Sequence, residues 1–398
     1  MKQAIMSTFI SSKEQLHTAY KVGARHFILE DSKVSLRSFS DDFSSPEFGK
    51  LIDLANEARD LDSTLSLTAN CDLLVHERHY PILETFVAAL REANISQVRI
   101  QDQGLIPYFT SVIPDIKLHY AQEIGNHNVK GAAYYAKFCA HQSLSSELTY
   151  VEINEYTKLD SSLDIQVQGP LMIQYSNRRF MAGKESREDD VTPSTKYAHD
   201  KDYPGREFIF HDNPHGHFMY VYFDRCLLRY IPQLCELELD HWLIDARGES
   251  LEYLETTLRT YIAEQERYHN NPDNWSPNLE ALNAVQAVAK RDQKPGFFRA
   301  NQTDRGRKAP YADVPENAQL IGRLVDVIRD KWVTVECETL FSVGDSLYIS
   351  TPRKNLITME VKKMRDLDMQ TIDSSESRNF VQIPWYKGML SKSRLFKA

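Results

Sequence analysis

No stretch of the 398-residue sequence approaches the roughly 20 consecutive apolar residues that cross a bilayer, so no membrane association is expected. The first ten residues lack a long apolar core and a small-residue cleavage site, and they read as a first strand rather than a signal peptide. Cysteine is scarce and odd in number. Cys71, Cys139, Cys226, Cys235 and Cys337 are scattered, which fits a reducing cytoplasm better than a disulfide framework. Glycine is missing where a dinucleotide-binding fold needs it, since the loop at 8–12 (TFISS) after the first apolar run has none. A Gly-x-Ser-x-Gly elbow and a His-Glu-x-x-His helix are absent too, which removes two familiar hydrolase mechanisms. Positive charge is in deficit: a net charge of −9 excludes diffuse binding to nucleic acid over the whole surface. A local basic stretch does occur at 299–308, with Arg299, Arg305, Arg307 and Lys308, though such runs are most often solvated linkers.

What is present is a globular composition. Hydrophobic residues make up 42% and charged residues 26%, enough apolar material for a sizeable core. The length exceeds the ~250–300 residues at which single cores stop growing, so two domains are expected. Over the first ~160 residues, short apolar runs alternate with helical patterns, the signature of repeated strand–helix units. Helices are expected at 12–23, 45–58, 80–93 and 128–139 and from 149, with strands at 26–29, 63–68, 97–100, 116–119, 143–144 and 164–168. The fold class is therefore α/β, an incomplete or distorted TIM-like barrel over residues 1–293. Residues 180–205 read as a polar surface excursion, 207–210 and 218–223 as a hairpin, 225–234 as a helix and 241–244 as a strand. A long helix at 251–269 closes the body. A Pro-, Gly- and charge-rich linker at 294–317 leads to period-two patterns at 320–328, 332–337, 346–350 and 379–383, which predict a small β-barrel over 318–398.

The stretches SELTYVEI at 146–153, DIQVQGPLMIQYSNRR at 164–179, DRCLLRYIPQL at 224–234, LDHWLIDAR at 239–247 and FSVGDSLYISTP at 341–352, in that order along the chain, resemble stretches of peptidase family U32. Residues 146–153 are similar to its Arg-Glu-Leu-Ser-x-x-Glu-Ile helix start, and 164–179 to its signature strand and turn. Residues 224–234 resemble its Asp-Leu-Cys-x-Ile-x-x-Ile-Pro-Glu-Leu, and 239–247 its Val-Asp-Ser-x-Lys-Ile-Glu-Gly-Arg. Residues 341–352 resemble the Phe-x-x-Gly-Asp-x-Leu of the family's C-terminal barrel.

The resemblance implies two kinds of activity. The family takes its name from a collagenase-like protease. Other members are oxygen-independent hydroxylases, or their partners, acting on tRNA wobble uridine, on ribosomal RNA or in ubiquinone synthesis, with an iron–sulfur cluster on four cysteines. Here Met172 and Arg179 stand at the first two cysteine positions, residues 180–205 contain no cysteine, and Cys226 alone matches. Cys235 has no ligand role in the family order. One thiolate cannot hold a cubane, so no cluster and no other cofactor are expected. The reading is then an accessory or divergent member that binds tRNA or rRNA, alongside a cysteine-complete relative as heterodimer partner. A peptidase of unassigned mechanism and a non-catalytic subunit are the alternatives.

Site residues follow from the same alignment and from strand ends, because the C-terminal ends of barrel strands carry the functional groups. Arg178 and Arg179 follow a strand and would hold a phosphate or carboxylate; alternatively Arg179 pairs with Asp245. Asp245 and Arg247 end a later strand, Glu147 and Gln168 match polar family positions near the rim, and Tyr175 would stack a flat ligand. Arg179, Asp245, Arg247 and Glu147 are the catalytic candidates; Gln168, Tyr175 and Arg178 are the binding candidates. The segment His211-Asp-Asn-Pro-His-Gly-His217 has ligand types that suit zinc or iron, but Asp, Asn, Pro and Gly are also ordinary hairpin-turn residues.

Overall fold

The computed structural model describes residues 2–39, 48–123, 125, 127–181, 193–200, 203–299, 312–315, 317–353, 355–377 and 379–397. The basic stretch after Arg299, the middle of the 180–205 excursion and most of the expected linker lie outside the described residues. The chain forms two compact units, Met1–Asn301 and Gln302–Ala398.

The first unit begins with β1 (Ile5–Ile10), α1 (Lys13–Lys21), β2 (His26–Leu29), α2 (Gly49–Leu61), β3 (Ser66–Cys71), α3 (Tyr80–Glu92) and β4 (Gln97–Ile100). It continues with α4 (Leu105–Val112), β5 (Lys117–Ala121), α5 (Val129–Tyr135), β6 (His141–Ser143), α6 (Tyr150–Tyr156) and the long β7 (Ser162–Ser176). Strands β8 (Ser194–Asp200), β9 (Tyr203–Asn213) and β10 (Gly216–Cys226) follow, then α7 (Ile231–Glu236), β11 (His241–Ile244), α8 (Leu251–Asn270), α9 (Leu279–Val288) and β12 (Gln293–Lys294). Strands β1 to β7 pair in order, and β11 pairs in parallel with both β7 and β1. The sheet therefore closes into an eight-stranded parallel barrel, the TIM-like α/β class expected from the sequence.

Local chemistry explains the elements. Ser12 caps α1 by accepting from the Gln15 amide, and Thr149 with Glu152 forms a capping box on α6. Buried positions on α2 (Leu51, Leu54, Ala55, Ala58) and α3 (Leu83, Phe86, Val87, Leu90) recur at helical spacing and pack on the outside of the barrel. Helix α4 is buried through Leu105, Ile106 and Phe109, but Pro107 and a polar exposed face hide its period in the sequence. The segment expected as a helix from 225 is instead the end of β10, a short turn of 3₁₀ helix and α7.

Strand β7 was expected to stop at Gln168. It continues because Gly169, at φ +113°, carries the chain through a bend that side chains avoid. Its outer half pairs antiparallel with β10, which extends through β9 to β8 as an arm beyond the barrel. The arm's turn is only Pro214–His215, so His211 and His217 belong to strands, not to a turn. Lys294, expected to begin the linker, pairs with Arg225, and Phe298 packs against Tyr150 and Tyr230 in the first unit.

The second unit is a six-stranded antiparallel sheet of β13 (Gln319–Val327), β14 (Trp332–Cys337), β15 (Ser346–Ser350), β16 (Leu356–Glu360), β17 (Phe380–Pro384) and β18 (Arg394–Lys397). The order is β16-β15-β18-β13-β14-β17, curled as a half-barrel around Ile321, Val333, Val335, Leu347, Ile349 and Leu395. Its edges β16 and β17 are unpaired with one another among the described residues, so the sheet is not a closed barrel.

Candidate functional site at the barrel mouth

The C-terminal ends of the barrel strands deliver seven charged side chains to one place. Glu30 follows β2, Arg37 lies in the loop beyond it, Asp72 follows β3, Arg99 is in β4, Glu123 lies beyond β5, and Asp245 and Arg247 follow β11. Arg247 donates from Nε and Nη2 to the two oxygens of Asp245, at 2.9 and 2.7 Å, and from Nη1 to Glu30 at 3.3 Å. Arg37 donates to Glu123 at 2.6 Å and Asp245 at 2.9 Å, while Arg99 donates to Asp72 at 3.0 Å and Glu123 at 3.2 Å. The Arg247 guanidinium lies 3.6 Å from the centroid of the Phe9 ring, which fixes its plane. Six of the seven residues are buried, and paired guanidinium groups are what make such burial tolerable.

Burial pushes the Glu30 carboxyl up to about 8, with Asp72 reinforcing the shift and Arg37 and Arg99 opposing it. Burial also raises Asp245, with Arg37 opposing. Its oxygens nonetheless accept four hydrogen bonds, three from guanidinium nitrogens and one from the Arg247 amide, which leaves no place for a carboxyl proton. With Glu30 protonated, three cations face three anions, and the cluster is neutral.

A pH dependence follows. The folded-state value of Glu30 lies above its unfolded value of about 4.3, so the folded chain binds that proton more tightly. The stability this contributes is complete at low pH and is lost as pH rises from about 5 through about 8. Glu30→Gln keeps the shape and removes the titration. Urea unfolding should show the variant gaining on the parent chain between pH 6 and pH 9; a difference that stays constant across that range refutes the shift.

Two adjoining cavities open at this mouth, of about 480 and 370 Å³, sharing Phe39, Arg247, Gly248 and Glu249. Glu30 and Lys50 line the smaller one; Tyr197, Tyr220, Lys290 and Arg291 line the larger. The Tyr220 hydroxyl is buried with no hydrogen-bond partner, and burial raises its pKa, so it stays a neutral donor. Lys290 reaches the Gly248 carbonyl at 2.6 Å and Glu249 at 3.3 Å.

Of the residues singled out from the sequence, Asp245 and Arg247 meet at the mouth. The others do not join them. Gln168 is fully buried behind the barrel wall, donating to Tyr253 at 2.7 Å and accepting from Tyr261 at 3.3 Å. Tyr175 belongs to the arm, its hydroxyl donating to the His215 carbonyl at 2.9 Å and its ring lying against Phe218. Arg178 is exposed beyond the end of β7, and Arg179 does not pair with Asp245, whose partners are Arg37 and Arg247. Glu147 is half-exposed and pairs with His127 at 2.9 Å. The three histidines of the 211–217 segment do not converge: His211 faces the Ser38 carbonyl, His215 the Ser32 carbonyl, and His217 bonds Asp212.

Glu30, Asp72 and Glu123 were missed, although each follows an apolar strand run within two residues, which is the signal that would have found them. Arg37 gave no such signal, lying eight residues past its strand, and Arg99 sits inside one.

All five cysteines are buried and unpaired with each other. Burial pushes the thiols of Cys139 and Cys235 up to about 12 and raises Cys71 and Cys226 as well, the last lying 4.0 Å from the Tyr261 hydroxyl. No helix among the described residues is long and apolar enough to cross a membrane.

The family model "Peptidase family U32" matches residues 11–308, and "Peptidase family U32 C-terminal domain" matches 316–393. The chain belongs to peptidase family U32. Among its U32 relatives, tRNA hydroxylation protein P1 of Bacillus subtilis is 22% identical, over 94% of this chain and 89% of that one. The tRNA hydroxylation protein P of Escherichia coli is also 22% identical, over 86% of this chain and 85% of its own. An uncharacterized protease of Methanocaldococcus jannaschii is 23% identical, over 88% and 87%. The seven charged residues of the U32 mouth all lie within the matched residues.

Proposed function

We propose that this U32 protein is an accessory or divergent member of the RNA-hydroxylating branch, holding a tRNA or rRNA nucleotide at the barrel mouth while a cysteine-complete relative carries the cluster. The observation that carries the reading is the larger mouth cavity. Its volume of about 480 Å³ lies in the range of small-molecule sites, roughly 300–1,000 Å³, and is of nucleotide scale. Phe39, Tyr197 and Tyr220 line it with rings of the kind on which bases stack, and Lys290, held at the wall beside Glu249, supplies a cation for a phosphate. The unpartnered Tyr220 hydroxyl and the protonated Glu30 add hydrogen-bond donors to the mouth. The names of the Bacillus and Escherichia relatives point the same way.

The donor set does not fit a four-thiolate cluster. Met172 and Arg179 stand at two of the family positions, the stretch 180–205 has no cysteine, and Cys226 is a buried thiol beside Tyr261.

The test is nucleoside mass spectrometry on tRNA and rRNA from cells with and without the gene. The expected result is loss of a hydroxylated pyrimidine, restored by the parent gene and not by one carrying Lys290→Glu, which reverses charge at the cavity while leaving the buried network alone. An unchanged profile overturns the RNA reading. Cleavage of gelatin by the purified chain, abolished by Asp245→Ala, would put the peptidase reading in its place.

A further inference from the structure

The opposite end of the barrel holds a second polar cluster that the mouth does not use. His26, His141 and His241 are the first residues of β2, β6 and β11, and His119 and Asp164 come from the middle of β5 and the start of β7. Parallel pairing puts His119 beside His141 and His241 beside Asp164, so four imidazoles and one carboxylate meet at the barrel floor. His26 and His241 are accounted for: Ser7 Oγ bonds their Nδ1 atoms at 2.8 and 3.0 Å, and His26 Nε2 reaches Thr68 at 2.8 Å.

His119, His141 and Asp164 are different. The two rings stack with centroids 3.8 Å apart, and both Nε2 atoms face the same Asp164 oxygen, at 3.1 and 2.8 Å. Ser143 Oγ also reaches that oxygen at 2.8 Å and lies 2.7 Å from His119 Nε2, so it gives way when an ion takes that nitrogen. His141 Nε2 sits 2.8 Å from the Asp164 oxygen in an orientation that makes no hydrogen bond, and His119 Nδ1 and Asp164 Oδ1 have no partner at all. Three buried polar atoms are thus unsatisfied within one trio, and buried polar groups are rarely left so.

We propose that the barrel floor binds one divalent first-row transition-metal ion through Nε2 of His119, Nε2 of His141 and a carboxylate oxygen of Asp164. Two imidazoles and a carboxylate are a donor set used by zinc and by non-haem iron(II), with positions left for water. Ligands about 2.0–2.1 Å from a tetrahedral ion stand about 3.3 Å apart, within a few tenths of an ångström of the nitrogen–oxygen separations present. The rings are within 5° of parallel, and binding turns them apart so that both lone pairs aim at one ion. A cavity of about 600 Å³ lies at this end of the barrel, lined by Lys2, Asp160, Leu163, Glu236, Glu238 and Asp240, of which Leu163 and Asp240 are the chain neighbours of Asp164 and His241. Its carboxylates outnumber its one lysine, which itself pairs with Asp240.

The experiment uses the full chain, stripped with chelator and titrated with Co²⁺ while its visible d–d absorption is recorded. One equivalent per chain is expected. His141→Gln should weaken binding by at least about 100-fold, since outer-shell substitutions alone cost roughly 10–100-fold. His76→Gln, far along the chain from the trio, and Cys226→Ser should leave it unchanged. X-ray absorption on the loaded parent chain guards against a variant that fails to fold. An imidazole-and-oxygen shell, with zinc or iron in the protein as isolated, supports the site. A sulfur shell, absence of the d–d bands, or parent-like binding by folded His141→Gln overturns it.

Discussion

Arg37→Met should cost about 3–5 kcal/mol of folding stability, the usual result of stripping one partner from a buried ion network. Arg37 is 2% exposed and its Nη2 serves Glu123 and Asp245 together, so methionine fills the volume and leaves two carboxylates facing each other. The deficit should depend on pH in a stated direction. Burial already pushes Asp245 up and Arg37 is the chief group holding it down; without Arg37 the folded-state value rises further above the unfolded one. Stability is then lost as pH rises, and the variant should fall further behind the parent chain at pH 8 than at pH 5. Chemical unfolding of the first unit measures this. A deficit below about 1 kcal/mol, or one indifferent to pH, would mean that the network is not held together as described.

Gly169→Ala should be comparably damaging, for a steric reason. A Cβ at this position would lie 2.0 Å from the Asp245 carbonyl oxygen, and the φ of +113° is one that side chains rarely adopt. Strain of that kind costs about 1–3 kcal/mol by itself, and the clash with backbone brings the expected loss to about 4 kcal/mol or more. Gly344 supplies the comparison: its φ is +93° but nothing lies within 4 Å of its would-be Cβ. Gly344→Ala should therefore show the strain without the clash, read on the transition of the second unit. Equal losses at the two positions would remove the close approach of β7 to Asp245 from the explanation.

The barrel was legible because parallel strands buried on both faces are short apolar runs, and 26–29, 97–100 and 241–244 match β2, β4 and β11 residue for residue. Where reading failed, chemistry explains it. Gly169-Pro170 has the look of a strand end, yet the glycine supplies a bend and the strand continues to Ser176. The 211–217 segment has turn composition, yet its histidines are bonded to backbone carbonyls and to Asp212, which lets both strands run to within two residues of each other. Strands β16 and β18 were not foreseen, since the alternation of β16 runs only between exposed and half-buried positions and β18 has four residues. At the site, Asp245 and Arg247 were found from the family alignment and the strand end. Their partners Arg37 and Glu123 come from segments more than a hundred residues away in sequence, and spacing along a chain does not reveal which distant strand ends a closed barrel brings together.

The barrel's inner layers are mostly polar. Phe9, Ile28 and Leu243 form an apolar cluster of three, set apart from the large core between strands and helices. Around them stand Ser7, His26, Thr68, Asn70, Arg99, His119, His141 and Asp164, all buried. Unfolding therefore wets mainly polar groups from the inside of the barrel and apolar groups only from its outside. Polar exposure lowers the heat capacity of unfolding while apolar exposure raises it. This domain should have a smaller heat-capacity increment for its size than a barrel filled with valine, isoleucine and leucine. Its curve of stability against temperature is then flatter, and the temperature at which cold would unfold it lies lower.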